Sequence, residues 1–167
     1  MILAGVNITS SQSAALYIQS GKATIELQAG TTNTLTDGST YSNQVDDEPN
    51  ATIFAEEDLD ITGNGTLIVN GNYNDGITTK DDLNITSGTI TVKAVDDGIR
   101  GKDSIDIDGG TITITSGGDA LKSDEETEGT IDIDGGNITI YSGDDGIKAY
   151  SVMTINNGMI TVAKSVE

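Results

Sequence analysis

The sequence predicts an all-β chain, a right-handed parallel β-helix of three sheets with about 22 residues per coil. An acidic motif recurs four times, as Asn74-Asp75-Gly76-Ile77, Asp96-Asp97-Gly98-Ile99, Gly118-Asp119-Ala120-Leu121 and Asp144-Asp145-Gly146-Ile147, at spacings of 22, 22 and 26 residues. A period near 22 is too long for a heptad and too short for a helical hairpin, and fits one turn of a solenoid. Between the motifs, short runs alternate aliphatic and polar residues, the period-2 signature of strands with one buried face. With 21 Gly, one Pro, 4% aromatics and no Trp, the chain has many turns. Its core must be filled by Ile, Val, Leu and Ala, which suits narrow stacked coils.

Along the chain, Ala15-Leu16, Ile25-Glu26-Leu27 and Leu35 read as an irregular coil. Ile53, Leu59-Asp60-Ile61 and Thr66-Leu67-Ile68-Val69 form a 24-residue coil. Four regular coils follow, each with an aliphatic after the motif and then two alternating runs, as in Ile99, Ile105-Asp106-Ile107-Asp108 and Thr111-Ile112-Thr113-Ile114. This makes about five to six coils, right-handed because parallel crossovers are overwhelmingly so. Thr36 to Asn50 and Asp124 to Glu128 should be loops leaving the corners. No linker divides the chain, so residues 1–167 are read as one domain. No amphipathic helix precedes Gly5 and no polar cap follows Lys164. The expectation is a fragment of a longer protein, with uncapped coils open to end-to-end self-association.

The formal charge of -19, from 27 acidic and 8 basic residues without His, argues against nucleic acid and anionic lipid as partners. No apolar run is long enough for membrane insertion. The acidic residues are interleaved with Ile, Thr and Gly, unlike a disordered acidic tail. The absence of Cys excludes disulfides and thiolate metal sites.

Stacked coils lie about 4.8 Å apart, so Asp75, Asp97, Asp119 and Asp145 become neighbours, with Asn74, Asp96 and Asp144 beside them. Two carboxylates about 5 Å apart repel by roughly 3 kcal/mol at an effective dielectric near 20. Ca²⁺, with its flexible oxygen coordination, offsets this best, and without His or Cys zinc is a poor fit. The other reading is that these aspartates accept hydrogen bonds from turn amides. Five of the eight basic residues, Lys80, Arg100, Lys102, Lys122 and Lys148, follow the motif closely. They read either as structural ion pairs to the aspartates or as an anion-recognising strip. Asp106, Asp108, Asp132 and Asp134 form a second acidic square, read as a solvated face, with a cation site as the other possibility. The outward Thr-x-Thr pairs resemble an ice-binding array, but Asn137 and Met159 break it.

The strings Asn70-Gly71-Asn72-Tyr73-Asn74-Asp75-Gly76, Lys80-Asp81-Asp82-Leu83 and Ala94-Val95-Asp96-Asp97-Gly98-Ile99-Arg100-Gly101-Lys102-Asp103 resemble a family of bacterial secreted β-helix carbohydrate-binding domains. The likeness extends through Thr34-Leu35-Thr36-Asp37-Gly38 and Asp46-Asp47-Glu48-Pro49-Asn50, and departs at Ala120, where the family usually has Gly. It implies a right-handed β-helix, bound calcium, binding of plant cell-wall polysaccharide including polygalacturonate, and a shape similar to polysaccharide lyases. The expected function is calcium-dependent binding of an acidic polysaccharide, outside the cell or on a bacterial surface. Asp75, Asp96, Asp97, Asp119, Asp144 and Asp145 would hold metal, and the five basic residues would hold ligand. The runner-up is a pectate-lyase-like enzyme with Arg100, Lys102 or Lys122 as base. A third reading is a calcium-stiffened stalk or adhesin.

Overall fold

A computed structural model describes residues 1–42 and 44–164, which form twenty strands, numbered β1 to β20 along the chain, in three parallel sheets. The first sheet holds β1 (Ile2–Leu3), β4 (Ala23–Leu27), β7 (Leu59–Gly63), β10 (Asp82–Ile85), β13 (Ser104–Ile107), β16 (Thr130–Ile133) and β19 (Val152–Ile155). The second holds β2 (Asn7–Thr9), β5 (Thr32–Thr36), β8 (Thr66–Asn70), β11 (Thr89–Ala94), β14 (Thr111–Ser116), β17 (Asn137–Ser142) and β20 (Met159–Lys164). The third holds β3 (Leu16–Ile18), β6 (Ala51–Ala55), β9 (Asp75–Thr79), β12 (Ile99–Gly101), β15 (Leu121–Ser123) and β18 (Ile147–Ala149).

The result is a β-solenoid of about seven turns, averaging about 24 residues each. Seven turns exceed the expected five to six, while the predicted period near 22 holds between the regular coils, as from Leu83 to Ile105 and from Ile131 to Met153. Two short N-terminal strands, β1 and β2, start a turn ahead of the one read at Ala15. The loop at residues 37–50 also lengthens the second turn, so that Thr24 lies beside Asp60, 36 residues on. The next step, from Asp60 to Asn84, is 24 residues, and beyond it the step is 22, except for 26 across the second insertion. Both predicted insertions lie between strands, at residues 37–50 and 124–129.

Inward rows of Leu, Ile and Val from all three sheets make one continuous core, as with Leu83, Ile105 and Ile131 on the first sheet. The turn from first to second sheet repeats one device. Gly63, Gly88, Gly110, Gly136 and Gly158 all have φ between 94° and 109°, a left-handed region that other L-residues enter only with strain.

Alternation of buried and exposed residues holds on most strands but fails on β6 and β9, every residue of which is buried. Around these strands, Tyr41 of the 37–50 loop stacks on Tyr73 with ring centroids 4.3 Å apart, and its hydroxyl donates to Asp37 and to the Ala51 carbonyl. Tyr17 packs its edge on Phe54, which faces away from Ile53. Here the expectation of a polar outer face gives way to a second, smaller packed layer.

Candidate functional site

The acidic motif forms the corner where each turn passes from the second sheet to the third. The corner is tightly packed: a Cβ on Gly98 would lie 2.3 Å from Ile114 Cγ2 and 2.7 Å from the Ala120 carbonyl oxygen, although the third copy of the motif holds a buried alanine, Ala120, at this position. The chain therefore runs close against the core at the corner. This draws the preceding aspartate inward, and Asp75, Asp97 and Asp119 are 2 to 4% exposed.

Each buried aspartate uses its two oxygens differently. Oδ1 accepts the backbone N–H of the aspartate one turn on: Asp97 N–H to Asp75 at 3.1 Å, Asp119 N–H to Asp97 at 2.9 Å and Asp145 N–H to Asp119 at 2.9 Å. The second oxygen faces a row on the third sheet in which Tyr17, Phe54, Thr78, Arg100, Lys122 and Lys148 lie in register. Lys122 donates to Asp97 at 2.8 Å and Lys148 to Asp119 at 3.1 Å. The position that would serve Asp75 is Arg100, and it turns instead to Asp124. Among the described residues, Asp75 Oδ2 accepts only the Thr78 hydroxyl, at 3.1 Å.

The electrostatics follow. Burial, and then the negative charge of Asp97, push the Asp75 carboxyl up to about 7, against the opposing pull of the Asp97 amide and Thr78. Asp96 is also raised, by burial first and then by Asp97. For Lys122, burial acts to lower the ammonium, but the hydrogen bond to Asp97 and the surrounding carboxylates outweigh it, and its pKa is raised. Lys148 is raised by its hydrogen bond to Asp119, and Lys102 by its bond to Glu125.

The six aspartates expected to hold metal form two triads. Asp75, Asp96 and Asp97 can bring one oxygen each within 4.8 Å of one another, and so can Asp119, Asp144 and Asp145. The second triad already has an ammonium in its midst, with Lys148 at 3.1 Å from Asp119 and 3.6 Å from Asp145. In the first triad, Lys122 meets Asp97 alone. The first therefore fits a hard cation better, with two buried carboxylates and one exposed.

All five basic residues are ion-paired. Lys80 reaches Glu48 at 2.8 Å and Glu56 at 3.3 Å, Arg100 reaches Asp124 at 3.0 Å, and Lys102 reaches Glu125 at 3.0 Å. The strip is thus divided, with Lys122 and Lys148 turned into the corner and the other three bound to acidic side chains beside them. Glu48, Glu56, Asp124 and Glu125 were not singled out from the sequence. For Glu48, Asp124 and Glu125 the available signal was the acidic content of the two insertions, whereas Glu56 follows β6 outside both. Lysines held above their usual pKa are poorly suited to abstract a proton.

Asp106, Asp108, Asp132 and Asp134 share one face of the first sheet, lining an open groove of about 410 Å³ with Asn84 and Asn156. Asp106 is raised by burial and then by Asp132. Among the described residues, the only groups of three acidic side chains with oxygens within 4.8 Å are the two corner triads, so this square is more open than either.

Fold and site together define a parallel β-solenoid with an ordered carboxylate corner bordered by a basic row. The chain belongs to the carbohydrate-binding domain-containing protein family, whose model matches residues 1–167. A carbohydrate-binding domain-containing protein of Acetivibrio thermocellus is 50% identical over 97 residues, covering 56% of this chain and 34% of the relative. The chain thus spans about a third of that relative's length. Among solved structures it is similar to the polysaccharide lyase-like protein from C. thermocellum, described as a gadolinium derivative. The TM-score is 0.94 and the identity 45%, over 97% of this chain and 68% of that one.

Proposed function

We propose that this domain binds an acidic plant cell-wall polysaccharide, polygalacturonate or pectin, through calcium held at Asp75, Asp96 and Asp97. The observation that carries this reading is the uncompensated Asp75, a buried carboxylate that accepts a backbone N–H and a hydroxyl but meets no cation among the described residues. A Ca²⁺ ion takes six to eight oxygens, so three aspartates leave positions for water and for sugar oxygens. That matters because a chain with a net charge of -19 repels a polyuronate. An ion shared between protein and ligand converts the repulsion into a bridge. Such a ligand places the work of the domain outside the cell or on a bacterial surface.

Calorimetric titration of calcium into chelated protein, followed by polygalacturonate with and without chelator, tests the reading. Calcium binding lost in Asp75→Asn/Asp96→Asn, and polysaccharide binding lost with it, is the expected result. Binding to polygalacturonate that persists undiminished in excess chelator would overturn the bridge. Unsaturated-product absorbance abolished by replacing Lys102 or Lys122 would make the protein a lyase.

A further inference from the structure

The segment 124–129 stands out against its own repeat. Neighbouring turns join the third sheet to the first with two residues, Lys80-Asp81, Lys102-Asp103 and Tyr150-Ser151, whereas here six are used. Two residues suffice to close the turn, so the extra length is not needed to build the solenoid. Four of the six, Asp124, Glu125, Glu126 and Glu128, are acidic.

The first two dock on the basic row. Asp124 presents both oxygens to Nε and Nη2 of Arg100, with four contacts between 3.0 and 3.2 Å. Glu125 meets Lys102 at 3.0 Å, and the N–H groups of Asp124 and Glu125 both donate to the Lys102 carbonyl. A carboxylate lying across a guanidinium is the strongest arrangement Arg offers an anion. A uronate sugar presents that same group. The side chains of Arg100, Asp124, Lys102 and Glu125 all remain between 24 and 41% exposed, so these pairs are open to exchange. The site also adjoins the calcium corner, since Arg100 lies on β12, which leaves that corner directly after Asp97 and Gly98.

We propose that Arg100 and Lys102 form a seat for the carboxylates of an acidic sugar chain, and that Asp124 and Glu125 are its built-in occupants, displaced when the chain binds. This rests on the acidic-polysaccharide reading above. A polyuronate crossing the third sheet exchanges carboxylate for carboxylate on Arg100 and Lys102, while calcium holds another of its carboxylates at Asp75, Asp96 and Asp97. The loop then selects for charge, because a neutral glycan has nothing with which to replace Asp124.

The test compares wild type, Asp124→Asn/Glu125→Gln, and the same double variant carrying Arg100→Gln, by titration with polygalacturonate in calcium and with its methyl-esterified, uncharged form. The double variant is expected to bind polygalacturonate about three- to tenfold tighter than wild type, without gain on the esterified form. Arg100→Gln should abolish the gain. A second variant, with residues 124–129 cut to the two-residue length of the neighbouring turns, should behave like the double variant, and melting curves check that each is folded. If wild type binds and neither variant binds tighter, the seat is wrong and the calcium reading stands. An equal gain on the esterified form also overturns the seat. If no form binds polygalacturonate in calcium, both readings fall.

Discussion

The corner contains the same aspartate three times in nearly the same backbone setting, yet its first rung differs from the next two. Asp97 and Asp119 each accept an amide from the next turn and a lysine ammonium from the third sheet. Asp75 accepts the amide, but the side chain one turn on is Arg100, which turns to Asp124, and its other oxygen meets the Thr78 hydroxyl of its own turn. The amide bond is common to all three because it follows from stacking, and it fixes one oxygen of each aspartate. The partner of the other oxygen depends on one outward side chain per turn and varies freely. The contrast separates what the repeat needs, an acceptor at every corner, from what a ligand site needs, a corner left short of positive charge.

The largest effect that tests this contrast is Asp97→Ala, which strips an acceptor from the Asp119 amide and a carboxylate from Lys122. We expect a loss of about 3 kcal/mol in chemical denaturation. The conservative Asp75→Asn, which keeps an acceptor oxygen and removes an uncompensated charge, should cost far less or stabilise the chelated protein.

Next comes pH. With the folded pKa of Asp75 raised to about 7 from an ordinary 3.8, the folded state holds a proton that the unfolded state has released. Stability of chelated protein should therefore fall as pH rises from about 4 to 7, with a slope from this residue of up to about 1.4 kcal/mol per pH unit, and flatten above that. Asp75→Asn should remove that contribution, and saturating calcium should suppress it in wild type. An identical pH profile for the two chelated proteins would show that the first rung is not strained by charge.

Arg100→Lys sharpens the comparison further. A lysine in register with Lys122 and Lys148 can reach back to Asp75 as they reach back to Asp97 and Asp119. Calcium affinity by calorimetry should fall about tenfold, corresponding to about 1.4 kcal/mol of competition from the new ammonium. Unchanged calcium binding would place the ion elsewhere.

The smallest effect is expected on the first sheet. Asp108→Asn should move stability by less than about 0.5 kcal/mol and leave calcium binding untouched, as for a carboxylate on an open, solvated face.

The period, the three sheets and both insertions were legible because they depend on where aliphatic residues recur, and the core admits few alternatives. The first turn was not, because β1 and β2 are two and three residues long and carry no motif. The six corner aspartates could be grouped from spacing, but spacing cannot tell which way a carboxylate turns. Calcium and turn amides were posed as rival readings for one ladder, whereas the buried aspartates give one oxygen to an amide in every case and differ only at the other. The backbone of Arg100 is in register with Lys122 and Lys148. Its side chain is drawn off by Asp124, which belongs to an insertion outside the repeat and so outside anything periodicity can predict. The buried outer face of β6 and β9 escaped notice for a similar reason, since the Tyr41 and Tyr73 stack brings together residues from two different turns.

The four residues added between Asp119 and Asp145 leave no trace at the acidic corner, where the amide bond is 2.9 Å across the 26-residue turn and across the 22-residue turn before it. All the added length is absorbed where the third sheet meets the first. The solenoid therefore keeps its scaffold and its decoration on separate corners of the same turn. One corner is held constant by a hydrogen bond that tolerates no slippage, and the other can lengthen, shorten or change sequence without disturbing the stack. A protein built this way can acquire a new specificity by grafting a loop onto a single turn.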